Sequence, residues 1–203
     1  LPDRTRIAYV QDGAVGRTGR TGFFWLGGYK SDMTGAKAEA IAALARETRR
    51  PSLRFDYSGH GQSSGLFIDG TISQWLDQAI HMFVKHTHDK CVVIGSSMGG
   101  WLAMLLVKKL QDVNFTIAQR IAGLVLIAPA ADMTTELMWK DMPPAQRREI
   151  EEGTRRSVMD ASATETIRML AADRTARVAR QDDVVALGVA GLTAYEVKGF
   201  GRQ

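Results

Sequence analysis

The sequence predicts an α/β fold organised around a mostly parallel, doubly wound sheet. Two observations support this prediction. Short apolar runs of strand length recur through the first two thirds of the chain, and segments with helical periodicity lie between them. Such runs are typical of strands buried on both faces, and parallel neighbours need helical crossover connections. In a sheet of this kind, functional groups collect at the edge where the strands reach their carboxyl ends.

The first strands and helices follow from simple patterns. Arg6–Gln11 and Phe23–Leu26 have the composition of strands, and the first of them is expected at an edge of the sheet. Gly35–Arg46 is alanine-rich and amphipathic, which predicts a helix. Leu53–Asp56 predicts the next strand, and Thr71–His86 predicts a helix that carries its large apolar side chains on one face.

The next part of the pattern surrounds a short motif. Cys91–Ile94 predicts a buried strand, Gly99–Leu110 a helix and Gly123–Pro129 another buried strand. Between the first two lies Gly95-Ser96-Ser97-Met98-Gly99, which fits the pattern G-x-S-x-G. Chance produces such a pentapeptide in about one chain in ten of this composition. In its strand–turn–helix context, the pattern is typical of the nucleophile elbow of serine hydrolases.

Ser97 is the candidate nucleophile, because it is the serine with glycine at both flanking positions of the motif. Glycine at these positions lets the two arms of a sharp turn approach without Cβ clashes. The N-terminus of the following helix supplies N–H groups and a positive dipole end, which suit a developing oxyanion. The structural alternative is a small-residue turn that joins an ordinary strand and helix.

Composition and charge exclude several classes of function. The chain of 203 residues suits one domain with a single core. The net charge of +4 comes from arginines scattered among acids, without the aromatic-interleaved basic stripe that suits nucleic acid. The longest apolar stretch, residues 121–131, is too short to span a bilayer and contains a proline. We therefore expect no nucleic-acid partner and no membrane span.

The cysteine and histidine residues of the chain indicate its cellular compartment and whether a cofactor is expected. The single cysteine, Cys91, cannot form an intrachain disulfide, and the chain opens without a charged-then-apolar leader. Together these features predict a cytoplasmic protein. His81, His86 and His88 have a spacing that resembles metal ligands, but histidines near a helix C-terminus are more often a surface feature. We expect no metal and no organic cofactor.

Several segments, in one order, resemble the α/β-hydrolase superfamily. Residues 25–33 (WLGGYKSDM) resemble its oxyanion loop, and residues 54–63 (RFDYSGHGQS) resemble its D-x-x-G-x-G-x-S loop, which we interpret as structural. Residues 95–100 (GSSMGG) and 126–132 (LIAPAAD) complete the match. Within the superfamily, these blocks resemble bacterial relatives of a mitochondrial palmitoyl-protein thioesterase, over about residues 5–153.

The resemblance implies roles for individual residues. Ser97 would be the nucleophile, and the backbone N–H groups of Tyr29 and Met98 would form the oxyanion hole. The substrate would be a small-molecule acyl ester or thioester, cleaved without a cofactor.

The resemblance also implies a short lid over residues 133–153. Met133, Met138 and Trp139 lie in this segment, and apolar, adaptable side chains there suit an acyl chain. Packing of the lid against the core is the alternative explanation for these three residues.

The acid and the histidine of the expected catalytic triad are harder to place. A hydrolase of this type has both after the serine, yet all four histidines precede Ser97. Asp132 follows a strand end and is a candidate acid, with a helix cap or a lid anchor as the alternative. His60 lies on a loop at the same edge of the sheet, but chain order and the family pattern argue against it as the base.

Residues 154–203 form a tail that does not align with the family. The tail is rich in arginine and lacks histidine, with a helix predicted over residues 162–180 and a weak apolar run over 184–192. Three explanations are open: an out-of-frame tail, a divergent inactive member, or a base supplied by another chain. A sheet without its last strands would have an open edge, so we expect marginal stability.

The sequence thus predicts a hydrolase core over residues 1–153, incomplete at its C-terminal end, that cleaves esters or thioesters through an acyl-enzyme on Ser97. The alternative is an inactive fragment or pseudo-enzyme without the triad histidine that at most binds an acyl ligand. Fold and motif do not fix the substrate or the oligomeric state.

Overall fold

The structure is a computed structural model that describes residues 5–13, 18–131, 143–144, 184–188 and 193–197 of the chain. The strands are β1 (Tyr9–Asp12), β2 (Gly22–Leu26), β3 (Ser52–Phe55), β4 (Cys91–Ser96), β5 (Ile121–Ile127), β6 (Val184–Gly188) and β7 (Thr193–Val197). The helices are α1 (Ala36–Thr48), α2 (Ile72–His86), α3 (Met98–Val113) and α4 (Phe115–Ala118), and a 3₁₀ turn over Phe67–Asp69 precedes α2.

These strands form one seven-stranded sheet in the order β1-β3-β2-β4-β5-β6-β7. The four central strands, β3, β2, β4 and β5, are parallel, while β1, β6 and β7 pair antiparallel with their neighbours. The predicted fold class is confirmed, with β1 at the edge where it was expected. Because the central strands are parallel, the segments that follow β2, β3, β4 and β5 meet at one carboxyl edge.

The core lies on both faces of these central strands. On one face, α2 and α3 pack against the sheet through large side chains that are 0–2% exposed, such as Trp75, Phe83, Trp101 and Leu102. On the other face, α1 presents Ala38, with Ala42 and Ala45 also buried along the same helix. Burying a large apolar side chain contributes about 1.5–3 kcal/mol, so the larger cluster dominates the stability of the sheet.

The tail departs from the sequence-based expectation. β6 falls within the apolar run predicted over residues 184–192, pairs antiparallel with β5, and pairs in turn with β7. The expectation of an open edge beside β5 is therefore wrong. Antiparallel addition needs only an extended segment with free backbone groups and no crossover helix, so the tail can add strands without the strand–helix–strand pattern of the earlier chain. The helix predicted over residues 162–180 lies outside the described residues.

No helix in the described part of the chain is both long enough and apolar enough to cross a membrane.

Candidate active site

Ser97 occupies the turn between β4 and α3 with a backbone conformation of φ 54° and ψ −121°. A positive φ is rare for a residue with a side chain and costs about 1–3 kcal/mol, so the surrounding structure must enforce it. The turn places Ser97 at the N-terminus of a 16-residue helix and at the carboxyl edge of the central strand pair. This is the position in which a sheet of this type presents a reactive side chain.

Gly95 and Gly99 allow this turn because no side chain fits at either position. A Cβ on Gly95 would lie 2.2 Å from the carbonyl oxygen of Gly99, and a Cβ on Gly99 would lie 2.1 Å from the carbonyl oxygen of Leu26. Both of these carbonyl oxygens are backbone atoms in the packed centre of the fold. They cannot move away as a side chain can by changing its rotamer. The motif therefore needs glycine at these two positions for steric reasons, because α3 begins in direct contact with the end of β2.

The backbone of Ser97 is held from the neighbouring strand. Its N–H donates to the carbonyl oxygen of Ile127 at 3.0 Å, and its own carbonyl accepts the N–H of Ala130 at 3.1 Å. Two more non-glycine residues with positive φ lie at the same edge, Lys30 after β2 (55°) and Ala128 after β5 (43°). Within the described residues, three of the four non-glycine residues with positive φ thus lie around Ser97, as is common at functional sites, and the fourth, Arg49, ends α1.

The loop after β2 reaches the serine directly. A Cβ on Gly28 would lie 3.3 Å from the carbonyl oxygen of Ser96 and 3.4 Å from the Cβ of Ser97, so the loop passes close to the serine, and Tyr29 is the next residue. Among the described residues, the N–H groups of Tyr29 and Met98 donate no backbone hydrogen bond. Within the part of the chain that the structure describes, these two amides thus have no backbone acceptor, and they belong to the residues that follow Gly28 and Ser97. An oxyanion hole needs two such donors.

The side chain of Tyr29 forms an aromatic wall with Phe67 of the 3₁₀ turn. Their ring centroids are 5.0 Å apart in an edge-to-face arrangement, and the Lys30 ammonium lies 5.7 Å and 5.4 Å from the two centroids. Partial burial raises the pKa of the Tyr29 hydroxyl, which keeps it protonated. Leu66 and Ile68 on either side are 67% and 61% exposed. The wall offers apolar contact area beside the two amides.

The D-x-x-G-x-G-x-S loop after β3 uses its polar groups internally. The Asp56 carboxylate accepts the N–H of Met33 at 2.7 Å and that of Gln62 at 2.8 Å, and the Ser63 hydroxyl donates to the Asp56 carbonyl at 2.6 Å. Ser63 also accepts the N–H of Ala8 at 2.9 Å. These contacts agree with the structural interpretation of the loop, and they connect it to the end of the loop that carries Tyr29.

His60 is enclosed by aromatic rings. Its ring centroid lies 5.0 Å from those of Phe67 and Trp75 and 5.6 Å from that of Tyr57. Nδ1 lies 3.2 Å from the carbonyl oxygen of Ser58, and the side chain is buried. Burial lowers the pKa of His60, since desolvation outweighs the nearby carbonyl and the Asp56 charge. This histidine is therefore a neutral core residue, in line with the family argument against it as the base.

The remaining predicted site residues lie outside the described residues. These are the candidate acid Asp132 and the candidate pocket residues Met133, Met138 and Trp139.

Two described cavities lie at the opposite, amino-terminal edge of the sheet. One is lined by residues around Cys91 and His86, and the other by residues around Phe115 and Ile121. Ser97 lines neither of them. Among the described residues, no three histidine, cysteine, aspartate or glutamate side chains lie together in a group that could hold a metal ion.

Some residues that lie at this edge could not be predicted from the sequence. Phe67, Leu66 and Ile68 follow a glycine-rich loop and show no periodicity, so nothing in the sequence places them beside Tyr29. Ile127 was expected as a strand residue only, because its carbonyl contact with Ser97 depends on the register between β4 and β5. A one-letter sequence carries no signal for a backbone-to-backbone contact of this kind.

The curated proteins that are similar to this chain include a thioesterase and a protein described as an esterase/lipase. Human "Palmitoyl-protein thioesterase ABHD10, mitochondrial" is 28% identical over 150 residues, which is 74% of this chain and 45% of that protein. A Mycoplasma pneumoniae protein described as an esterase/lipase is 28% identical over 111 residues, 54% of this chain and 38% of that protein. The chain spans less than half the length of these curated relatives.

Solved structures agree in fold. A protein of Agrobacterium vitis S4 described as a hydrolase matches with a TM-score of 0.60 and 36% identity, covering 73% of this chain and 62% of that one. "Alpha/beta hydrolase domain-containing protein 10 from mouse" matches with a TM-score of 0.58 and 26% identity, covering 73% and 54%.

A family profile described as "Serine aminopeptidase, S33" matches residues 32–196, well over half of the chain. The matched range includes α1 to β5 and reaches into the tail as far as β7. The chain therefore belongs to this family of α/β-hydrolases.

Proposed function

We propose that the protein hydrolyses carboxylic esters or thioesters and that Ser97 is the nucleophile. The observation that supports this most strongly is the strained Ser97 turn, packed against the loop that carries Tyr29, with the amides of Tyr29 and Met98 unpaired beside it within the described residues. No purely structural turn needs this combination of strain and unused donors.

The proposed reaction follows from these groups. The Ser97 Oγ attacks the carbonyl carbon of the substrate, and a carbon–oxygen bond forms while the Oγ proton passes to a base. The negative charge on the former carbonyl oxygen is stabilised by the N–H groups of Tyr29 and Met98. Loss of one such donor costs about 10²–10³ in rate. The base then gives this proton to the leaving alcohol or thiol as its bond to carbon breaks, and water attacks the acyl-enzyme, which releases the acid and restores the Ser97 hydroxyl.

The reaction needs a base that accepts the Ser97 proton. No histidine follows Ser97, and His60 is enclosed by rings with its pKa lowered by burial. A serine hydroxyl is a weak nucleophile without a base in hydrogen-bond reach. We propose that this polypeptide provides the nucleophile and the oxyanion hole, and that its turnover is severely reduced unless a base is supplied from elsewhere. The second candidate function, a non-catalytic protein that binds an acyl ligand, rests on the same observation.

The proposed substrates are esters or thioesters with an apolar acyl group. Support comes from the exposed apolar residues beside the Tyr29–Phe67 wall and from relatives described as a thioesterase and an esterase/lipase. A cytoplasmic location remains our proposal from cysteine usage.

Labelling with a fluorophosphonate tests the proposal. The reagent phosphonylates a serine whose proton a base can accept, so with imidazole added as that base we expect stoichiometric labelling of the folded protein and loss of labelling in Ser97→Ala. Ser96→Ala is the matched control, because it removes the neighbouring hydroxyl from the same turn and should still label. Equal labelling of all three proteins, or none of the unmodified protein, contradicts the proposed role of Ser97.

A further inference from the structure

The loop that carries Tyr29 is hydrogen-bonded at Met33 to Arg54 of β3 and to Asp56, the residue that follows β3. Oδ1 of Asp56 accepts the N–H of Met33 at 2.7 Å, and Nη1 of Arg54 donates to the carbonyl oxygen of Met33 at 2.7 Å. Arg54, Asp56 and Met33 are 8%, 2% and 3% exposed. Both backbone polar groups of Met33 are thus held by buried side chains.

The two holding side chains are themselves immobilised. Arg54 donates from Nε to Asp12 of β1 at 3.0 Å and also pairs with Glu39 of α1. Asp56 accepts the N–H of Gln62 through its second carboxylate oxygen at 2.8 Å. Because alternate residues of an extended segment face the same side, Arg54 and Asp56 can both form hydrogen bonds to the backbone of Met33. The end of the loop is therefore bound to side chains that are themselves held in place.

The loop is fixed at both ends, and Tyr29 lies between them. Its start follows β2, where Gly28 lies close to the Ser96 carbonyl and to the Cβ of Ser97, and its end is held at Met33. An oxyanion donor works only within about 2.7–3.1 Å of the oxygen it stabilises. A small shift of the loop after loss of the hydrogen bonds to Met33 would take the Tyr29 amide out of this range.

We propose that Asp56 is a positioning residue for the oxyanion hole: through Met33 it sets the place of the Tyr29 amide. The catalytic meaning of this inference rests on the proposed function. Asp56 touches no reacting atom and acts through the loop alone. In Asp56→Asn the side chain has one acceptor oxygen and turns an N–H₂ toward the other backbone donor, so one of the two hydrogen bonds is lost with little change in volume.

The first test compares rates of fluorophosphonate labelling at Ser97. The matched control is Asp89→Asn, because Asp89 also accepts two backbone N–H groups, from Thr18 and Gly19, but at the amino-terminal edge of the sheet. We expect Asp56→Asn to label at least about 10-fold more slowly, less than the 10²–10³ of a lost donor, and Asp89→Asn to label at the unmodified rate. Equal slowing in both variants overturns the inference, because it would indicate a general loss of stability.

The second test separates this inference from the proposed function. Amide hydrogen exchange of residues 28–34, followed by mass spectrometry of the intact folded chain, reports on the loop without any reaction at Ser97. We expect faster exchange of this segment in Asp56→Asn and unchanged exchange in Asp89→Asn. If the unmodified protein does not label at all, the proposed function fails while exchange still decides the positioning role. Unchanged exchange in Asp56→Asn overturns that role whatever the labelling shows.

Discussion

The amide of Ser97 donates to the carbonyl oxygen of Ile127 at 3.0 Å, which ties the turn after β4 to the last residue of β5. A serine with positive φ relaxes unless its surroundings prevent it. The bond to Ile127, together with the steric contact between Gly99 and the end of β2, prevents that relaxation from two sides. The position of Ser97 is therefore set by β2, β4 and β5.

Gly99→Ala should destabilise the protein, and Gly27→Ala should not. A Cβ on Gly99 would lie 2.1 Å from the Leu26 carbonyl oxygen, whereas a Cβ on Gly27 would meet only the Trp25 indole nitrogen, at 3.9 Å. Overpacking costs about 1–3 kcal/mol or more, which exceeds the gain of about 1 kcal/mol from alanine in a helix. Urea unfolding of the two variants measures the difference. Similar midpoints for both would show that α3 does not press on β2.

Imidazole should restore Ser97-dependent hydrolysis. If the 203 residues lack a base for Ser97, added imidazole can accept the Oγ proton, and a general base is worth about 10²–10⁴ in rate. We expect the hydrolysis of p-nitrophenyl butyrate, after subtraction of the rate with Ser97→Ala, to rise at least about 10-fold with imidazole. Fast hydrolysis without imidazole would mean instead that a base is already in place.

His60 should make the fold sensitive to mild acid. Burial lowers its pKa below the ordinary value of 6.5, so the unfolded chain binds a proton at a pH where the folded protein does not. Stability from this residue is present above about pH 6.5 and is lost as the pH falls toward the folded-state pKa. We expect the melting temperature to fall more between pH 7.5 and 5.5 in the unmodified protein than in His60→Phe.

The exposed residue His88 provides the control for this comparison. His88→Gln should keep the acid sensitivity of the unmodified protein. An identical pH dependence in the unmodified protein and in His60→Phe would contradict a neutral, buried His60.

Cys91 should be inert to thiol reagents in the folded protein. Burial raises the pKa of its thiol to about 11, and the side chain is 4% exposed. Because the thiolate is the reactive form, Ellman's reagent at pH 8 should react at least about 100-fold more slowly with the native protein than with the denatured chain. Rapid reaction of the native protein would place Cys91 at the surface, and Cys91→Ser gives the background.

The central strands and helices were predictable because each has a local signal. Apolar runs of strand length mark β2 to β5, and the glycines around Ser97 mark the sharp turn between β4 and α3. The pairing of β6 with β5 was not predictable in the same way. An antiparallel partner needs no crossover helix, and its register depends on an edge that exists only after the parallel strands have assembled.

The site was predictable to the extent that it depends on motif residues. Ser97 and Met98 follow β4 and Tyr29 follows β2, and these two strands are parallel neighbours, so all three residues lie at the carboxyl edge; their roles stay predictions. The anchoring of Met33 by Arg54 and Asp56 was not foreseen. It joins segments more than 20 residues apart through side chain-to-backbone hydrogen bonds, and such bonds leave no periodic pattern in a sequence.

Locating the covalent adduct is the most direct test of the central claim. After reaction of the folded protein with a fluorophosphonate in the presence of imidazole, digestion with trypsin releases residues 91–108 as one peptide that contains both Ser96 and Ser97. We predict that fragmentation of this peptide places one adduct on Ser97 and none on Ser96. An adduct on another residue, or an unmodified peptide from fully folded protein, would contradict the assignment of Ser97 as the nucleophile.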